Sequence, residues 1–119
     1  MNTYKLKFIL LPLLLLFACS STVSGVDKSI INKAEKYGTE LMSFEDSLGT
    51  DKIDDINEFI TTKTSNEKEK DILHNIETLY ILSVKGKAQI DSSQSTIETE
   101  KQMQEIVDYL NDEYQMNIE

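Results

Sequence analysis

One imidazole, one thiol and a dense population of carboxylates are the reactive groups of this chain. His74 is the lone histidine, with Asp71 three residues before it and Glu77 three after. On a helix these could share a face as a metal half-site. A di-iron bundle, however, needs two Glu-x-x-His pairs from different helices, and no second histidine exists to complete one. Zinc would have to take its remaining ligands from carboxylates, a minority pattern. The spacing predicts a surface histidine in a charged helix. Asp51, Asp54, Asp55, Asn57 and Glu58 offer oxygen ligands for calcium. From Asp51, though, Ile56 stands where an EF-hand loop needs glycine and Thr62 where it needs glutamate. They read instead as the acidic start of a solvated helix. No Gly-x-Ser-x-Gly elbow occurs, and Gly25, Gly38, Gly49 and Gly86 are isolated, so there is no phosphate-cradling loop. Carboxylate pairs of the kind that cleave glycosides are easily found in so acidic a chain, but without tryptophan little is offered for a sugar to stack on. The sequence predicts a non-enzyme with no metal and no cofactor.

Cys19 is different, because its surroundings are ordered. Lys5 and Lys7 precede an apolar run from Phe8 to Ala18, and Ser20-Ser21-Thr22 follows the thiol. A basic start, a short apolar middle and a small residue at the cut make a secretory signal peptide. The run to Cys19 is 12 residues long and contains Pro12, too short for a spanning helix of about 20. Leu16-Phe17-Ala18-Cys19 resembles the lipobox of bacterial lipoproteins, with Phe17 standing where the family usually has a small or β-branched residue. The resemblance implies cleavage between Ala18 and Cys19 and a diacylglyceryl group on the Cys19 sulfur. In many bacteria the freed amine is acylated as well. Two rival readings fit less well. An ordinary cleaved signal peptide would want a small residue where Leu16 stands. A buried cysteine of a cytosolic protein leaves the basic-apolar-polar order unexplained. Two acyl chains, at about 0.8 kcal/mol per buried CH₂, hold a protein stably where one does not. Ser20 is not an aspartate, so in enteric-type bacteria the family's sorting would favour the outer membrane.

Taking residues 1–18 from 119 leaves 101, enough for one small domain with a single core. Of the 12 lysines, Lys5 and Lys7 go with the leader, leaving 10 against 21 acids, a formal charge of −11. The chain has no arginine. Nucleic acid and anionic lipid demand clustered Lys and Arg, so no nucleic-acid partner is expected. With Cys19 lipidated no thiol is left for a disulfide, a thiolate metal site or a nucleophile.

The elements that carry these residues read as helices. Residues 20–26 form a tether, roughly 15 Å across as coil and about 25 Å when stretched. The like charge of a bacterial membrane should keep the acidic body from lying flat on lipid. Ile30, Ala34, Tyr37, Leu41, Phe44 and Leu48 recur at steps of three and four, predicting a helix from Asp27 to Leu48 with Gly49 as its stop. Ile53, Ile56, Phe59 and Ile60 predict a shorter helix from about Asp51 to Thr62. Asn66 and Glu69 suggest a capping box opening a third helix, whose apolar positions spread from Ile72 to Val84, with Ile81 and Leu82 widening the stripe. Such a helix should be central and packed on two sides. Residues 78–84 are also rich in β-formers, but the helical phasing before them favours helix. Gly86 and the run Asp91-Ser92-Ser93-Gln94 interrupt the pattern. Ser95 with Glu98 suggests a second capping box for a fourth helix, carrying Ile97, Met103, Ile106, Val107, Leu110 and Tyr114 to about Gln115. The expected fold is all-α, a small bundle of three long helices and one short one spanning residues 27–119.

Tyr109, Tyr114 and Met116, with Met103, could form an exposed aromatic and apolar strip for a partner. The alternative puts Met103 and Tyr114 in the core with Tyr109 half exposed beside them. The functional expectation is a membrane-anchored lipoprotein that binds another envelope protein, as inhibitor, immunity or exclusion factor, or assembly accessory. The runner-up is a surface-exposed lipoprotein that binds a host or environmental ligand.

Overall fold

A computed structural model describes residues 25–46 and 48–119. The leader, its cut at Ala18 and Cys19, and most of the tether lie outside the described residues. Within them the chain is all helical: α1 (Lys28–Met42), α2 (Thr50–Ile60), α3 (Glu67–Asp91) and α4 (Ile97–Tyr114). No helix among the described residues is long and apolar enough to cross a membrane.

Helix starts follow local chemistry. Asp27 caps α1 by accepting the Ser29 N–H at 2.8 Å. Asn66 caps α3 by accepting the N–H groups of Lys68 and Glu69. The predicted box closes differently, however. Glu69 does not reach back to Asn66. Its two oxygens accept the Asp27 N–H at 2.9 Å and the Thr64 hydroxyl at 2.6 Å. The Asn66 amide meanwhile donates to the Gly25 carbonyl at 2.6 Å. These bonds tie the start of α1 to the start of α3, so the two helices run parallel, with α2 returning between them. The tie also corrects the tether. Val26, assigned to it from sequence, is only 2% exposed and belongs to the core.

Three boundaries depart from expectation. The chain leaves helix at Ser43, not Leu48. Phe44 and Leu48 are buried or half-buried as the spacing demanded, but they reach the interior from an irregular connection. Ser43 and Asp46 supply weak helix formers there, and the Asp46 N–H bonds the Ser43 carbonyl. Next, α3 runs straight through Gly86 to Asp91, a length of 25 residues or about 37 Å. Gly86 is a seat for an aromatic ring rather than a break: a Cβ there would stand 2.6 Å from Cε2 of Phe44. Finally, α4 begins at Ile97 after Thr96, whose hydroxyl donates to Glu100, and the Ser95–Glu98 box does not form. Ile97, expected on the core stripe, is 77% exposed.

α3 touches each of the other helices and is the axis of the bundle. Ile72, Ile76 and Leu79 from it meet Leu41, Ile56, Met103 and Leu110 in a core fully shielded from water. α4 lies antiparallel on α3, joined at one end by Thr99 Oγ1 donating to Gln89 Oε1 at 2.7 Å. Among the described residues the buried apolar side chains run from Val26 to Ile118 and form one core cluster.

Replacing Gly86 with alanine tests the ring seat. Overpacking costs about 1–3 kcal/mol, while alanine returns about 1 kcal/mol of helix propensity. Gly86→Ala should therefore lose up to about 2 kcal/mol net, and a further Phe44→Leu exchange should recover most of it. Thermal melts of both single variants and the double variant measure that coupling.

Candidate functional site

The groove that stands out lies at the pole opposite Gly25. Its volume is about 380 Å³, near the lower end of the range for ligand clefts. Four segments build it. The last turn of α1 gives Glu40 and Leu41, the α1–α2 connection gives Phe44 and Leu48, and the C-terminal half of α3 gives Tyr80, Val84 and Ala88. Ile53 closes it from the first turns of α2. α2 packs chiefly on α3. Against α1 it sets the Phe59 ring 5.4 Å from that of Tyr37.

The floor is apolar and the rim is charged. Lys52 pairs with Glu40 Oε2 at 3.0 Å, and Lys87 pairs with Asp91 at 3.4 Å. The other oxygen, Oε1 of Glu40, is buried without a hydrogen-bond partner among the described residues. An unsatisfied buried acceptor is uncommon and costs free energy until something donates to it. Beside the groove, Ile81 and Val84 are 60% and 55% exposed. With Ala88 they stand at i, i+3 and i+7, so the apolar surface continues out of the cleft along one stripe of α3.

Comparison with family models, with curated proteins and with solved structures finds no match.

The residues singled out from sequence fall elsewhere. Of the strip proposed for a partner, Tyr114 and Met116 are buried in the core, and Tyr109 alone stands partly in solvent. Met103 is buried too, so the core reading of these residues holds. The reason is a carboxylate. Oδ2 of Asp71 accepts the hydroxyls of Tyr109 at 2.6 Å and Tyr114 at 2.7 Å, while Asn75 donates to Oδ1. The two rings meet edge to face at 6.3 Å. Asp71 is thereby turned to α4 and is no partner for His74, which lies exposed on α3. Among the described residues no three His, Cys, Asp or Glu side chains are grouped to hold a metal ion. Asp51, Asp54, Asp55, Asn57 and Glu58 all lie on the exposed surface of α2. The groove itself was missed, since its walls come from four segments whose periodicity signals only burial. Ile81 was the available signal: an apolar residue off the main stripe of a long helix.

The tyrosine cluster predicts alkaline behaviour. Burial, then the Asp71 hydrogen bond and charge, raise the Tyr114 phenol far above its ordinary value of 10.0. Tyr109 is raised chiefly by its Asp71 bond, and Tyr37 by burial with Asp55, Glu40 and Glu58 nearby. Above about pH 10 the unfolded chain releases protons that the folded one keeps, so stability is full below that pH and falls above it. Melting temperature should hold flat from about pH 8 to 10 and then drop. The Tyr109→Phe, Tyr114→Phe double variant should drop less steeply.

Proposed function

We propose that the chain is a lipid-anchored envelope lipoprotein whose acidic helical body is a non-catalytic module for binding another envelope protein. The Cys19 lipobox resemblance supports the anchor. The observation that carries the binding role is the open apolar groove with Ile81 and Val84 exposed beside it, since solvent-facing apolar surface next to a cleft marks interaction sites. Gly25, where the tether enters, is at the other end of the bundle, so an anchored body presents the groove away from the bilayer. Anchoring then raises the effective concentration of the module for a partner at the same surface. Inhibition of an incoming factor, immunity or exclusion, and assembly support all use this arrangement.

Mass spectrometry of the native protein should find Cys19 at its start bearing diacylglyceryl. Cys19→Ser should move the protein from the membrane to the soluble fraction, because no second anchoring signal such as a polybasic patch remains. Crosslinking in native membranes, followed by pull-down, should yield a protein partner joined through the groove. An unmodified thiol would end the anchoring proposal.

A further inference from the structure

We infer that the seat between α1 and α4, filled by the chain's own residues 116–119, is a second binding site that takes an extended segment of a partner protein in exchange for this tail. The inference rests on the reading of the body as a protein-binding module and gives it a surface distinct from the cleft. The tail shows what the seat recognises. Four hydrogen bonds hold it, and all four end on its main chain. Asn111 accepts the Ile118 N–H at 2.9 Å and donates to the Ile118 carbonyl at 3.0 Å. Glu35 accepts the Asn117 N–H at 2.9 Å, and the Thr39 hydroxyl accepts that of Glu119 at 3.3 Å. Only the side chains of Met116 and Ile118 are read, because they are buried while Asn117 and Glu119 face out. Main-chain bonds joined to pockets for alternate side chains are how proteins bind strand-like peptides. The occupant is therefore an extended segment with apolar residues two apart, the second of them over Gly38. A Cβ on Gly38 would stand 2.9 Å from Cδ1 of Ile118, and doing without one costs α1 helix propensity. Exchange is eased by the hinge. The tail joins α4 through Gln115, held left-handed at φ 53° without the glycine that this conformation favours. Release breaks no helix, since the tail follows the end of α4, and terminal segments open at less cost than the whole fold.

Hydrogen exchange on the intact protein in detergent tests release. The Ile118 amide should exchange at least about tenfold faster than that of Ile76 in α3; equal rates would tie the tail to global unfolding and overturn the proposal. A peptide of residues 115–119, at millimolar concentration, tests recognition on the chain lacking residues 116–119. It should raise the melting temperature, and a control peptide with Met and Ile side by side should not. Equal shifts would overturn the alternate reading. Gly38→Ala in the shortened chain fills the seat, so the peptide's effect should vanish even though alanine favours the helix; a shift that persists would overturn the site. If the shortened chain does not fold, Ile118→Ser at full length serves as the open form. In native membranes a photocrosslinker in place of Thr39, which is exposed beside the tail, should capture a partner segment with apolar residues at alternate positions. Captured segments without that pattern, or partners joined only through other faces, would overturn this proposal and leave the module reading standing. Failure to crosslink any protein through any face would remove both.

Discussion

Deleting residues 116–119 should destabilise the body by roughly 3–6 kcal/mol, the worth of the two buried side chains it removes. After α4 ends, Gln115 takes a left-handed conformation at φ 53° and the chain doubles back along α1. Met116 and Ile118 then enter the core, while Gln115, Asn117 and Glu119 stay outside. Asn111 holds the tail from both sides: its amide donates to the Ile118 carbonyl at 3.0 Å, and its side-chain oxygen accepts the Ile118 N–H at 2.9 Å. The Asn117 N–H donates to Glu35 of α1 at 2.9 Å. Ile118 packs over Gly38, where a Cβ would come within 2.9 Å of its Cδ1. A domain of this size has about 5–15 kcal/mol to lose. At about 4–8 °C per kcal/mol, the truncated chain should melt at least roughly 12 °C lower. Differential scanning calorimetry decides it, and a shift under about 5 °C would mean that the tail does not hold this position in solution.

Asp71→Ala should cost about 2–4 kcal/mol, more than the loss of either tyrosine hydroxyl. Tyr114 is buried, and without the carboxylate its hydroxyl keeps only the neighbouring Tyr109 hydroxyl as a partner, so the penalty is that of a desolvated, poorly satisfied donor. Tyr114→Phe is milder at about 1 kcal/mol, because Tyr109 and Asn75 still satisfy Asp71. The two changes should not add. In Asp71→Ala, Tyr114→Phe the orphaned hydroxyl is gone, and part of the stability should return. Urea denaturation of the four chains gives the coupling energy; strict additivity would show that the three groups do not act together.

The helices were legible because Ile30, Ala34, Tyr37 and Leu41, or Ile72, Ile76 and Leu79, repeat at the helical period, and period reports burial directly. What period cannot report is the backbone between buried points. Phe44 and Leu48 kept the rhythm of α1 after the helix had stopped. Gly86 looked like punctuation, but the interior of a long helix also needs a gap wherever a neighbour's ring must come close, and Gly38 fills the same need for Ile118. The tail was misjudged for a related reason. Met116 and Ile118 alternate with polar residues over only four positions, too short a stretch for a period of two to stand out. The Asp71 cluster joins residues 38 and 43 positions apart, and no local pattern marks such a pairing.

Val26 in the core shortens the leash. With the lipid on Cys19, as proposed, five residues separate it from Gly25, and five residues reach about 17 Å at full stretch. A folded domain is roughly 30 Å across. The slit beneath the bundle is thus too shallow for another globular protein to slip in, and any visitor of that size must arrive from the flanks or from above, where the cleft opens.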